Sequence, residues 1–447
     1  MFSGARYFLS DVAYWFRSHP LRGVVGVLVL GGLIAAAVIG VSSLADDDET
    51  GSLAPAPEVV VRAEEPSEEP TDLGFPAFAT SNTTRVAGAD SIAVAAGISL
   101  AAFPSAGGVD GPNAVTVVPA DDWAAGVAAS SLVSDPVGAP ILLSEGDELS
   151  ELTGLALASL EPRGSAETDG RQVFAVGSAP EPEGMKTTRI EGANAAEIGA
   201  EVALLREQLV GEEPVHLLIA TGDEPEFAMP AAAWAARSGD PVLFAQRASV
   251  PAATLEVIER YRDVPVYLLG PESVISAGAE KEIKEATKAT VRRAGEEDDP
   301  VANAIAFARF VDGTFGWNIN DPGHGFVIVN ASRPADAPAA AALSGSGTWG
   351  PLLLTDDAEA LPADLESYLL DMKPGYEEDP TRAVYNHLWI VGDESAISVD
   401  FQVEVDQIAE VAPIRSGSGE SVLGPEPGTP EQEGHDQGQA DGADRNP

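Results

Sequence analysis

The chain contains no cysteine, so its chemistry rests on arginine, histidine, carboxylate and hydroxyl groups. A thiolate metal site and a disulfide framework are both excluded. Three arginines recur in one local setting, Arg-x-x-Gly: Arg85 with Gly88, Arg189 with Gly192, and Arg292 with Gly295. A guanidinium is a permanently charged planar fork suited to phosphate or carboxylate, so three in equivalent places could grip an anionic ligand. The alternative is that each pairs with an acid of a neighbouring segment or caps a helix C-terminus. Asp122 and Asp336 precede Ala-rich helical patterns. They read as carboxylates for a ligand hydroxyl or cation, or as N-caps. Three Pro-apolar runs, Pro140-Ile141-Leu142-Leu143, Pro241-Val242-Leu243-Phe244 and Pro351-Leu352-Leu353-Leu354, could line a cleft at strand ends or form core strands.

Catalytic patterns are missing. His216 falls in a strand pattern and His387 just before one, neither with a partner at metal-ligand spacing. His324 sits in a Gly-rich insertion, Asp321-Pro322-Gly323-His324-Gly325, and reads as a turn residue. There is no Gly-x-Ser-x-Gly elbow and no phosphate-binding Gly-x-x-x-x-Gly-Lys-Ser/Thr loop. Acidic pairs such as Asp356-Asp357 lack the spacing of a calcium loop and read as solvated surface. The expectation is a protein without catalysis, metal or cofactor.

The elements that must position these residues repeat three times. The arginines are separated by about 100 residues, far more than the ~20–50 of a solenoid unit. After each Arg-x-x-Gly come an Ala-rich helix, a short apolar strand, a second Ala-rich helix and the Pro-apolar run. Each unit closes on an apolar run into glycine: Val173 to Gly177, Val266 to Gly270 and Leu388 to Gly392. Strands buried on both faces, alternating with helices, predict small parallel sheets flanked by helices. The sequence thus divides into repeats at 80–187, 188–290 and 291–415, an α/β architecture of three tandem small parallel-sheet subdomains.

The flanks differ. Arg6, Arg17 and Arg22 precede residues 24–44, which carry no charge and are long enough to span a ~30 Å hydrocarbon core. Acids follow at once, so residues 1–23 are expected inside and the bulk outside. Ser43-Leu44-Ala45 also resembles a signal-peptide cleavage site, which would make the protein secreted. Residues 45–79 and 416–447 are acidic and Pro- or Gly-rich, the composition of disordered linker and tail. With 25 basic and 71 acidic residues the formal net charge is −46, a surface that repels nucleic acid.

In order and kind, these landmarks resemble the type 2 cell wall-binding repeat (CWB2) of Gram-positive surface proteins. The resemblance rests on the three Arg-x-x-Gly openings, on Asp122-Trp123-Ala124-Ala125 and Asp336-Ala337-Pro338-Ala339, and on the Pro-apolar runs, of which Pro140 to Leu143 is the closest match. It also rests on the endings Gly270 to Ser276 and Gly392 to Ser398. The resemblance implies three Toprim-like or Rossmann-like subdomains in a pseudo-threefold arrangement. It also implies non-covalent attachment to an anionic secondary polymer of the wall. A second arginine that the family often places after the opening is absent in all three units, where Ser91-Ile92-Ala93, Ala195-Ala196-Glu197 and Asp298-Asp299-Pro300 stand instead.

The expected protein is a single-pass, membrane-tethered passive grip on wall glycopolymer or another envelope component. Two alternatives are an interaction or sensory ectodomain that kept the fold but lost the polymer site, and a wall-modifying enzyme assembled across units.

Overall fold

The computed structural model describes residues 78–103, 111–345 and 350–414. The expected membrane span 24–44, the preceding 1–23, nearly all of the linker 45–79 and the tail 416–447 lie outside these residues. Among the described residues no helix is long and apolar enough to cross a membrane.

The chain begins with strands β1 (Phe78–Ala79) and β2 (Thr83–Val86) and helix α1 (Ser91–Ala102). Strand β1 lies within the stretch read from sequence as linker. Next come β3 (Val115–Pro119), α2 (Trp123–Ala129), β4 (Ile141–Ser144), α3 (Glu151–Leu160), β5 (Val173–Val176) and β6 (Thr187–Ile190). The second repeat holds α4 (Ala195–Val210), β7 (Leu217–Thr221), α5 (Pro225–Ser238), β8 (Val242–Ala245), α6 (Ala252–Arg260), β9 (Val266–Leu269), α7 (Ala277–Ala286) and β10 (Val291–Gly295). The third holds α8 (Pro300–Arg309), β11 (Gly325–Asn330), α9 (Asp336–Gly345), β12 (Leu352–Thr355), α10 (Ala363–Asp371), β13 (Gly375–Tyr376), β14 (His387–Val391), α11 (Val399–Ala409) and β15 (Ala412–Pro413).

Three main parallel sheets result, ordered β4-β3-β5-β6, β8-β7-β9-β10 and β12-β11-β14-β2, the last extended by antiparallel β1, beside a two-stranded parallel pair β13-β15. Their central strands are buried throughout, which is why they read as unbroken apolar runs. Each fourth strand carries the Arg-x-x-Gly opening of the following repeat. β6 completes the first sheet, β10 the second, and β2, from the start of the described chain, completes the third. The division of the sheets therefore falls after the arginine strand, whereas the sequence landmarks divide the chain before it.

The helix after the first strand of each module, α2, α5 and α9, packs on its counterparts from the other modules. Their surfaces are mostly alanine, and small side chains let helix axes approach closely. Gly126 of α2 shows how close: a Cβ there would sit 2.7 Å from Pro338 Cγ of α9. Gly345 similarly faces the Ala236 carbonyl of α5, with a built Cβ at 2.9 Å. One buried cluster runs through the three modules along this contact.

Candidate functional site

The arginine of each fourth strand is a strap on the strand beside it. Arg85 Nη1 donates to the Gly392 carbonyl at 2.9 Å, Arg189 Nη1 to the Gly177 carbonyl at 2.6 Å, and Arg293 Nη1 to the Gly270 carbonyl at 2.8 Å. The three glycines end equivalent strands with positive φ, 98°, 57° and 118°, a backbone region that glycine enters without steric cost. The remaining donors are also occupied. Arg85 reaches Gln402 and the Ser398 carbonyl, Arg189 reaches Glu181 and the Ala179 carbonyl, and Arg293 reaches Glu280 and the Ile275 carbonyl. Gln402 and Glu280 each lie four residues beyond a serine N-cap, Ser398 and Ser276. Burial holds the Arg85 guanidinium below its ordinary pKa, opposed by Glu394 and Asp393.

The third strap is therefore Arg293, and Arg292 is not the equivalent of Arg85 and Arg189. A register shift between Arg293 and Gly295 adds one residue to β10. Gly295 pairs with Leu269, the place that Val86 takes on Val391 and Ile190 on Val176, so it is not the counterpart of Gly88 and Gly192, and matching the motif by its glycine selects the wrong arginine. Arg292 is half exposed and pairs with Asp312 at 2.5 Å. Each motif glycine is closely enclosed, Gly88 and Gly192 by backbone and Gly295 by a side chain. A Cβ on Gly88, Gly192 or Gly295 would lie 2.5 Å from Val94 N, 2.7 Å from Ile198 N and 2.4 Å from Asn303 Oδ1 respectively.

The other sequence candidates also serve the fold. Asp122 caps α2 by accepting from the Ala125 N–H at 3.0 Å. Asp336 is fully buried at the start of α9 against Arg333 Nε at 2.7 Å. Desolvation raises its pKa, against the opposing pull of Arg333. Pro140, Pro241 and Pro351 precede the edge strands β4, β8 and β12, where a missing N–H costs no ladder bond. Their carbonyls accept from Thr116 N, Leu218 N and Val327 N at 2.9, 3.1 and 3.0 Å. Ile141, Leu142 and Leu143 are each 1% exposed, core residues and not a cleft lining.

Open surface lies elsewhere, between the paired outer helices. A groove of about 440 Å³ runs between α4 and α6, and one of about 430 Å³ between α8 and α10. Counted from the N-caps Asn194 and Asp299, Glu197, Ala200, Glu201 and Leu204 occupy the same turns as Ala302, Ile305, Ala306 and Arg309. Counted from the caps Pro251 and Pro362, Ala253, Glu256, Val257 and Arg260 correspond to Asp364, Ser367, Tyr368 and Asp371. The same eight helical positions line both grooves. An interhelical ion pair closes one end of each: Arg260 Nη2 to Glu207 Oε2 at 2.7 Å, and Arg309 Nη2 to Asp371 Oδ2 at 2.6 Å. In the first module those positions hold Ala93, Ala96, Gly97, Leu100, Leu152, Leu155, Ala156 and Ser159, with no charge among them.

Residues 189–280 match the family model for cell wall binding domain 2 (CWB2). The middle module is a CWB2 repeat. No curated protein matches the sequence. Among solved structures the fold is similar to Cwp6 from Clostridium difficile, at TM-score 0.53 and 19% identity, over 73% of this chain and 47% of that one. It is likewise similar to Cwp8 from Clostridium difficile, at TM-score 0.55 and 19% identity, over 73% of this chain and 52% of that one. The chain spans about half the length of each.

The CWB2 repeat also contains a polar network that its sequence did not announce. Asp240 is 3% exposed and accepts from His216 N at 3.1 Å and Trp234 Nε1 at 2.9 Å, with His216 Nδ1 at 3.0 Å. His216 Nε2 stands 3.0 Å from Thr314 Oγ1 in the insertion that precedes β11. A hydroxyl, imidazole and carboxylate in series can activate a nucleophile. Here the imidazole packs roughly perpendicular to Tyr267 and Phe315, with centroids 5.7 and 5.4 Å away, alongside the stack those two rings make with each other at 3.7 Å. The His216–Thr314 contact ties the third module's insertion to the CWB2 repeat, with Thr314 itself exposed. Among the described residues no group of His, Asp and Glu is placed to hold a metal ion.

Proposed function

We propose that the chain is a non-catalytic, exported attachment protein that holds cell-wall glycopolymer through its CWB2-like modules. The match of residues 189–280 to the CWB2 model carries this reading. The likeness of the three-module body to two C. difficile Cwp structures supports it at the level of fold. Residues 24–44 tether the body to the membrane. Modules related by repetition act together. Contacts that are weak singly add through a high effective concentration once the first is made. Polymer held in this way would bridge membrane and wall.

One observation favours a second reading, an ectodomain that packs against an envelope protein. Every strap arginine has its donors committed within the chain, so none is free to grip an anionic polymer. Sedimentation with protease-treated wall separates the two. Binding that survives removal of wall proteins supports the polymer reading, and binding lost with those proteins supports the second.

A further inference from the structure

From the outer grooves we infer that the two repeated clefts, α4–α6 and α8–α10, are the glycan subsites, and that they accept a sugar chain free of phosphate and carboxylate. This rests on the attachment function proposed above and names its site and ligand class.

Each cleft joins an apolar floor to a polar rim. Ala200 and Val257 form the floor in the CWB2 repeat, and Ile305 and Tyr368 in the third module. A pyranose has the matching form, an apolar C–H face bordered by hydroxyl donors. The floor takes the face, and the rim groups Glu201 and Glu256, or Asp364 and Ser367, accept from the hydroxyls. Hydrogen bonds to an ionised acceptor are stronger than neutral ones. An anionic polymer meets the opposite field. Its charge would face rim carboxylates on a chain of net charge −46, and like charges brought together cost affinity and association rate. The one arginine of each cleft is already ion-paired across the helices, Arg260 with Glu207 and Arg309 with Asp371. Arg309 is further held over the Tyr368 ring at 4.6 Å.

The arrangement recurs with the module. The two clefts share eight helical positions although their residues differ at all of them, and the ion pair recurs at one end with the charges exchanged between the helices. In the first module the same positions are alanine, glycine, leucine and serine, so that module serves as an internal control.

The test uses full-length protein in mild detergent, sedimented with purified wall. Competitors are the secondary polymers released from that wall and split by anion exchange into neutral and anionic pools. The parent is expected to sediment, and the neutral pool to displace it at concentrations at least ten-fold below the anionic pool. Filling both clefts with Ala253→Trp and Ser367→Trp is expected to weaken retention ten-fold or more. Leu155→Trp, at the corresponding surface of the first module, is expected to leave it unchanged. The milder pair Glu256→Gln and Ser367→Ala, both at exposed positions, removes rim acceptors without bulk and is expected to weaken retention several-fold. A parent that fails to sediment overturns the attachment function. A parent that sediments undiminished by both sets of cleft variants, or that the anionic pool displaces best, leaves that function standing and overturns the assignment of the clefts.

Discussion

Arg85 donates from Nη1 to the carbonyl oxygen of Gly392 at 2.9 Å, across 307 positions of sequence. The first strap of the described chain thereby closes the last sheet, as Arg189 and Arg293 close the two before it. Arg85 is 3% exposed, and three backbone carbonyls and Gln402 lose their donor if its guanidinium is removed. Arg85→Ala should cost about 3 kcal/mol, since it leaves several buried neutral acceptors without a donor. Chemical denaturation would show the loss, and hydrogen exchange should place the earliest opening at β2 and β14.

Successive arginines on β10 face opposite sides of the sheet and are unequal. Arg293 is buried against Glu280 and the Gly270 carbonyl, whereas Arg292 is half exposed beside Asp312. Arg293→Ala should therefore destabilise by about 3 kcal/mol, and Arg292→Ala by less than about 1 kcal/mol. Equal losses in urea unfolding would contradict the strap assignment.

Asp240 joins two elements by accepting from His216 and Trp234. Asp240→Leu leaves those donors buried without an acceptor, at a cost of about 3 kcal/mol. Asp240→Asn keeps one acceptor oxygen and should lose less. Trp234 emission reports the event locally, and the red shift should precede global unfolding in the leucine variant.

Asp336 carries a pH dependence. Burial raises its pKa in the folded protein, against the pull of Arg333. A carboxyl with a raised folded pKa binds its proton more tightly when folded. Its contribution is complete below the ordinary value of 3.8 and disappears as pH rises through the raised folded value. Asp336→Asn, which never ionises, should therefore be more stable than the parent at neutral pH. The difference should shrink as pH falls toward about 4. A difference that stays constant or grows on acidification would contradict this.

The buried strands were legible because both faces are covered: Val173–Val176 and Val266–Leu269 stand where their apolar runs end. The Ala-rich helices were legible for the same reason. The arginine strands were not. Thr-Thr-Arg-Val and Thr-Thr-Arg-Ile are short and half polar, and their pairing with a preceding module is a long-range choice that no local pattern encodes. Gly295 hid which of two adjacent arginines was equivalent, because it pairs where Val86 and Ile190 pair. The grooves were missed for another reason. Their lining is repeated in position but not in residue type, since Glu201 answers to Ala306 and Arg260 to Asp371. Only the capping residues align them.

Extraction of secondary polymers from purified wall, followed by sedimentation with the full-length protein, tests the attachment function most directly. The protein should pellet with intact wall and remain in the supernatant with extracted wall. Equal pelleting with both, or with neither, would contradict the account.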